Sequence, residues 1–260
     1  MDLTKHNSIA WDKKVDEGSM YTQSVSSEVI ERCKSGEWKI YVTPTTPVPR
    51  EWFPRTLKGL NILCLASGGG QQAPILAAAG ANVTVIDMSE KQLEKDREVA
   101  KRDGLPLKIV QGDMSDLSEF ADDYYDVVVN PVSNLFVKNI LPVWKEASRV
   151  LKNKGVLIAG FTNPLLWIFD DKQERKDILD VKHSIPSSTL DRLSKEDIEE
   201  HINSSQTIEF AHTLEDQIQG QIDAGFVISG FYESDFGGTR ILDKYIKSFI
   251  ATRAIKLNDI

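Results

Sequence analysis

Three consecutive glycines, Gly68, Gly69 and Gly70, stand just after the apolar run 62–65 and just before a helix-forming stretch, 71–79. Lacking β-carbons, such a turn lets a ligand approach the backbone closely. A strand, a glycine turn and a helix form the first half of a nucleotide-binding βαβ unit. The next apolar run, 83–86, ends in Asp87, which is placed to accept hydrogen bonds from ribose hydroxyls. These spacings imply an adenosine-containing cofactor.

Gly68-x-Gly70-x-x-Ala73 also fits the dinucleotide fingerprint, with Asp87 17 residues past Gly70. That pattern alone does not separate NAD from other adenosine cofactors. Three further features bear on the choice. Gln111-Gly112-Asp113-Met114 follows the third strand, offering an acid for an adenine amino group and an apolar side chain beside it. Asn130-Pro131 ends the fourth strand. The chain then closes with a helix, a strand, a turn and a strand.

The elements that must position these residues alternate. Strands are expected at 62–65, 83–86, 107–110, 126–129, 155–160, 226–234 and 246–255, with helices at 71–79, 89–102, 139–150 and 214–223 between them. A short helix is expected near 116–120, and Gln92 is expected to complete a capping box on Ser89. The alternation predicts a parallel, doubly wound α/β sheet. Residues 1–57 precede it as an N-terminal cover containing a helix near 26–33 and a proline-rich extended segment. Residues 58–260 form the main domain. Within it, 161–208 breaks the pattern as an insertion after strand 5, with helices near 170–178 and 194–203.

The chain resembles a class I S-adenosylmethionine-dependent methyltransferase of the small-molecule bacterial type. The resemblance rests on the glycine motif at 64–70, Asp87, Gly112-Asp113-Met114 and the Tyr125-Asp-Val-Val-Val129 strand, and covers roughly 58–160 and 214–256. It implies a Rossmann-like seven-stranded sheet in the order 3-2-1-4-5-7-6, with the last-threaded strand antiparallel. It implies that Ala66, Ser67, Gly68 and Gly70 line the methionine portion of the cofactor and that Asp87 binds the ribose. Met88 would then pack against the adenine, Asp113 would take its amino group with Met114 supporting it, and Asn130 would lie beside the methionine amino group and the transferring methyl. S-adenosylhomocysteine would be the product. Two positions depart from the family pattern. Cys64 stands where an acid usually helps hold the cofactor's ammonium, and Ala66 stands where a glycine is usual.

Several residues admit a plainer reading. Asp87 can stabilise a helix N-terminus, although its place beside the glycine turn favours a ligand. Asp113 can cap the element after it. Asn130-Pro131-Val132-Ser133 matches only the first half of the motif used by enzymes that methylate planar amino groups, so it does not name an acceptor. Trp11 and Tyr21 can close over the cofactor or simply pack an N-terminal helix. With Asn134, Phe161 and Trp167 they are the candidates for the acceptor side or lid. His183, in the insertion, is a candidate general base; a histidine in a polar loop is otherwise just exposed. Arg50 and Arg55 read as surface residues.

Composition limits the function classes. The net charge is −8 over 260 residues, which disfavours nucleic acid. No run of about 18 apolar residues suggests a membrane span, and the first residues lack a signal-peptide core. Two distant cysteines, Cys33 and Cys64, make neither a metal site nor a disulfide framework. A cytoplasmic enzyme methylating a small, partly apolar acceptor is expected. The alternatives are an NAD-dependent oxidoreductase, although no Tyr-x-x-x-Lys pair is present, and a non-catalytic cofactor sensor. The oligomeric state is not determined by the sequence.

Overall fold

The structure is a computed structural model that describes residues 1–257. The cover contributes α1 (Leu3–Asp16) and α2 (Ser27–Lys34). Then follow β1 (Asn61–Leu65), α3 (Gln72–Ala78), β2 (Asn82–Asp87), α4 (Glu90–Asp103), β3 (Leu107–Gln111) and β4 (Tyr125–Asn130). Next come α5 (Leu141–Val150) and a long β5 (Leu151–Thr162). The insertion holds α6 (Asp171–Glu174), β6 (Ser187–Ser188), α7 (Thr189–Arg192), α8 (Lys195–Asn203) and β7 (Phe210–Ala211). A π-turn, Glu215–Gln219, leads into α9 (Gly220–Asp223), and β8 (Phe226–Ser234) and β9 (Phe249–Lys256) complete the fold.

Seven strands form one sheet in the order β3-β2-β1-β4-β5-β9-β8, and β6 and β7 pair separately. Numbered within the large sheet alone, this is the expected 3-2-1-4-5-7-6. The first five strands are parallel, while β9 runs antiparallel to both β5 and β8. Central strands such as Ile62-Leu63-Cys64-Leu65 are apolar at every position because both faces are covered.

One face packs against α5, with Trp144 and Val143 fully buried. The other carries α3 and α4 over β1 and β2. Beside them β5 and β9 are covered by the N-terminal segment: Ile40, Val42, Val48, Trp52, Phe53 and Leu57 join Val156, Ile158 and Ala251 in a single apolar cluster. The Val42 carbonyl lies so close to Gly160 that a β-carbon there would sit 1.8 Å from it. The aromatic residues of 38–53 therefore serve the sheet, whereas α1 is free to reach the carboxyl ends of the strands.

Two local expectations are corrected. Residues 116–120 form turns rather than a helix. Asp113 Oδ1 accepts the Ser115 N–H, Asp116 Oδ1 accepts that of Ser118, and Glu146 Oε2 accepts that of Leu117. Side chains thus satisfy the donors a helix would have used. The capping box at α4 is only half formed. Ser89 Oγ accepts from Gln92 N at 3.2 Å, but the Ser89 N–H is taken by Asp87 Oδ1 at 2.9 Å, so the Gln92 side chain does not fold back.

Candidate functional site

The glycine turn leaves β1 through Ala66, whose φ of +42° is left-handed. An alanine there is strained by about 1 kcal/mol relative to glycine, which accounts physically for the usual glycine. Ser67 is buried and its hydroxyl donates to the Leu65 carbonyl at 2.9 Å. Gly68 is required by close approach: a β-carbon would lie 2.6 Å from Gln92 Cβ and 3.0 Å from Asp87 Oδ2. Gly70 sits beneath the cover, where its carbonyl accepts the Val25 N–H at 2.9 Å.

Two buried carboxyls hold this turn from below. Asp87, at the end of β2, accepts the Gly68 N–H on Oδ2 and the Ser89 N–H on Oδ1, both at 2.9 Å. Burial raises it to about 6, against the pull of those N–H groups and that of Met88. Asp96, one face of α4 further along, is wholly buried and accepts the Gly69 N–H on Oδ2 at 3.0 Å. Burial raises it to about 8, opposed by the Gly70 and Gly69 N–H groups and reinforced by the charge of Asp87. Asp96 Oδ1 and Gln92 Oε1 are both buried without a hydrogen-bond partner among the described residues. Cys64 is buried beside them, its thiol pushed far above the ordinary range by desolvation and then by Asp96.

Beyond the turn, a surface recess of about 350 Å³ opens between Met88, Gln111, Gly112 and Asp113, with Thr4 and Ser8 of α1 on its far wall. Met88 is half-buried and Met114 buried. Asp113 is half-buried; its Oδ1 accepts the Ser115 hydroxyl at 2.7 Å and its Oδ2 the Thr4 hydroxyl at 3.1 Å. Ser8 Oγ donates to the Met88 carbonyl at 2.9 Å. Helix α1 therefore lies across this recess. It is fixed on one side by Asp12, which accepts from Ser89 Oγ at 2.6 Å and from the Lys91 N–H at the start of α4. On the other side buried Asn7 binds the Phe136 carbonyl and both backbone groups of Ile208. Trp11 meets Phe136 edge-on at 5.2 Å. Tyr21 is 48% exposed, and its carbonyl oxygen lies 3.5 Å from where a β-carbon on Gly69 would stand. A larger recess, about 550 Å³, lies elsewhere beside Ser115, Lys145 and Arg149. Its Arg149 is already paired with Glu146 and Asp122.

Asn130, at the end of β4, belongs to a buried polar chain. Its Oδ1 accepts from Ser133 Oγ at 2.7 Å, and its Nδ2 donates to Asn134 Oδ1 at 2.8 Å. Asn134 Nδ2 donates in turn to Gln217 Oε1 at 2.9 Å, from the π-turn. The Gln217 carbonyl accepts from Gln221, whose Oε1 accepts from Thr252 of β9. His212 Nε2 donates to the Asn134 and Val137 carbonyls and is thereby committed to structure.

On the insertion side, Phe161 is fully buried and Trp167 half-buried. The Arg192 guanidinium stacks 4.6 Å above the Trp167 ring, whose Nε1–H points to Thr162 Oγ1. His183 is half-buried in a loop. Burial, then Lys182 and Arg192, hold its pKa below the usual range. Glu209, which Thr207 hydrogen-bonds, is raised by desolvation.

The sequence reading missed Asp96, Gln92, Asn7 and Gln217. A signal existed for the first two. In α4 the buried positions are Gln92, Leu93, Asp96 and Val99, so two polar residues fall on the core-facing stripe of the helix. Nothing local distinguishes Asn7 or Gln217, whose partners are 129 and 83 residues away.

Known proteins resemble this chain in sequence and fold. A family model described as Methyltransferase domain covers residues 63–159. Methyltransferase YbaJ of Bacillus subtilis (strain 168) is 56% identical over 98% of this chain and 99% of its own length. The glycine/sarcosine/dimethylglycine N-methyltransferase of Actinopolyspora halophila is 34% identical over 47% of this chain and 22% of its own. Among solved structures, a Listeria monocytogenes protein described as an S-adenosylmethionine-dependent methyltransferase superposes with a TM-score of 0.61 at 21% identity, covering 80% of this chain and 96% of that one. One from Mesorhizobium loti gives 0.58 at 16%, covering 80% and 95%. At those identities the two structures share the fold.

Proposed function

The chain belongs to a methyltransferase family, and from that premise we propose that it transfers the methyl of S-adenosylmethionine to a small, partly apolar acceptor held beneath α1 and the 161–208 insertion. The carrying observation is convergence. Gly68, Asp87, Asp113 and Asn130 come from four different segments and gather at the carboxyl ends of the adjacent parallel strands β1 to β4. Ligands of open α/β sheets bind there.

The residues fit the cofactor. A recess lies between Met88 and Asp113, and Gly68 stands where a side chain would collide with the acid of β2. Asp87 would receive the ribose hydroxyls, and Met88 and Met114 the faces of the adenine. Asp113 would take the amino group. Ala66, Ser67, Gly68 and Gly70 would face the methionine portion, and Asn130 the reacting centre. When bound, S-adenosylmethionine supplies a methyl carbon already activated by its sulfonium. The protein's contribution is then mainly to align the acceptor and to exclude water.

Helix α1 is the candidate closing element. Its Thr4 and Ser8 hydroxyls bridge to Asp113 and Met88, so they must yield when adenosine enters. Trp11, Phe136 and Trp167 would supply apolar surface to the acceptor. His183, kept neutral near pH 7, is the candidate base. A His183→Ala variant with an unchanged kcat and pH profile would remove it from that role.

Thermal unfolding with S-adenosylmethionine, S-adenosylhomocysteine, NAD and NADP tests the reading. A ligand at 100 times its Kd stabilises by about 2.7 kcal/mol, a shift of several degrees. A response to the two sulfur compounds alone is expected. Stabilisation by NAD alone would overturn the assignment of the site. A screen in which only highly charged acceptors turned over would refute the partly apolar acceptor.

A further inference from the structure

The glycine turn lacks charge from the strand beneath it, because position 64 is a buried cysteine. The neighbouring helix supplies an acid instead. Asp96 of α4 directs Oδ2 to the Gly69 N–H at 3.0 Å, an N–H it shares with the Gln92 carbonyl at 2.9 Å, and the Gly70 N–H also faces this carboxyl. Its other oxygen is buried and unpartnered, as is Gln92 Oε1 one helical turn earlier. The trans peptide between Gly68 and Gly69 then fixes what faces the other way. With its N–H turned toward Asp96, the Gly68 carbonyl points away from Asp96. No donor among the described residues meets it. By contrast, the Gly69 carbonyl accepts from Ser24 Oγ at 3.3 Å and the Gly70 carbonyl from the Val25 N–H at 2.9 Å.

We infer that Asp96 is the displaced acid of this cofactor site. It fixes the glycine turn so that the Gly68 carbonyl meets the methionine ammonium of the bound cofactor, and its carboxyl, which releases its proton to solvent as the ammonium arrives, balances that positive charge from α4 rather than from β1. The inference rests on the methyltransferase reading given above. It makes Asp96 a positioning residue, two buried oxygens deep behind the turn, that acts on one portion of the cofactor only. The adenosine end is held by Asp87, Met88 and Asp113 and does not depend on it.

Calorimetric titration of the wild type and Asp96→Asn with two ligands tests this. S-adenosylhomocysteine carries the methionine portion, whereas 5′-methylthioadenosine lacks it. The variant should bind the first about tenfold or more weakly, the loss typical of a removed charge-assisted contact. It should bind the second within about twofold of the wild type, since no contact to the adenosine end has been removed. Equal losses for both ligands, or none for either, would overturn the inference. A wild type that bound neither would instead sink the methyltransferase reading of the site, and the inference with it. Hydrogen exchange in the wild type gives an independent check that needs no variant. The Gly70 amide, which unlike that of Gly69 has no backbone carbonyl to share among the described residues, should be protected without cofactor, and exchange at solvent rates would refute Asp96 as its acceptor.

Discussion

Replacing Asp96 with Asn should stabilise the cofactor-free protein, and more so at pH 8 than at pH 6. In an unfolded chain this carboxyl ionises near 3.8, while burial keeps it protonated to about 8 in the fold. Between those values the folded state holds a proton that the unfolded state has released. Stability therefore falls as pH rises, by about 1.4 kcal/mol per unit. Between pH 6 and 8, allowing for half-ionisation at the upper end, Asp96 removes about 2 kcal/mol. Asp87, raised to about 6, adds a smaller loss of the same sign in the lower part of that window. His183 and His212, held low by burial, act oppositely, since the unfolded chain takes up their protons first as pH falls. The difference between the wild type and Asp96→Asn isolates the term of interest. At this chain length the unfolding entropy is about 0.5 kcal/mol per degree, so the gap in Tm should widen by about 4 °C from pH 6 to pH 8. Calorimetric melts without cofactor at pH 6, 7 and 8 measure it. A gap that stays constant, or narrows as pH rises, would refute the buried, protonated carboxyl. A variant more stable yet weaker in cofactor binding is the trade expected of a residue kept for function.

Asn7→Ala should free α1, because it removes three hydrogen bonds to the 136 and 208 backbones; trypsin should then cut after Lys5, Lys13 or Lys14 much faster, while S-adenosylhomocysteine slows the cleavage. Equal cleavage rates in the wild type and the variant would show that α1 is not latched there. Gly160→Ala places a β-carbon 1.8 Å from the Val42 carbonyl and should lower stability by about 3 kcal/mol as residues 40–48 are pushed off the sheet, read as a fall in Tm. Asn134→Ala strands Asn130 Nδ2 and Gln217 Oε1 and should cost about 1–3 kcal/mol in a denaturant titration. A cost near zero would mean that water replaces the amide.

The sequence by itself determined the sheet and the strand ends that carry the candidate site residues. Alternating apolar runs and glycine turns are local patterns, and β1, β2 and β4 appear within a residue of their expected bounds. Asp87, Asp113 and Asn130 were legible because each ends or follows a strand, and strand ends of one parallel sheet must converge. Helix 116–120 failed because Asp113 and Asp116 take the local N–H groups and Glu146 reaches in from α5. Only the tertiary structure decided how the cover divides, with 38–57 packed on the face of β5 and β9 and α1 laid over Asp113 and Met88. It also decided that Asp96, two turns into α4, lies beneath the glycine turn near the buried Cys64. Periodicity reports which face of an element is buried. It does not report which distant backbone will rest on that face, because hydrogen bonds such as Asn7 to Ile208 form only when the chain closes over 201 residues.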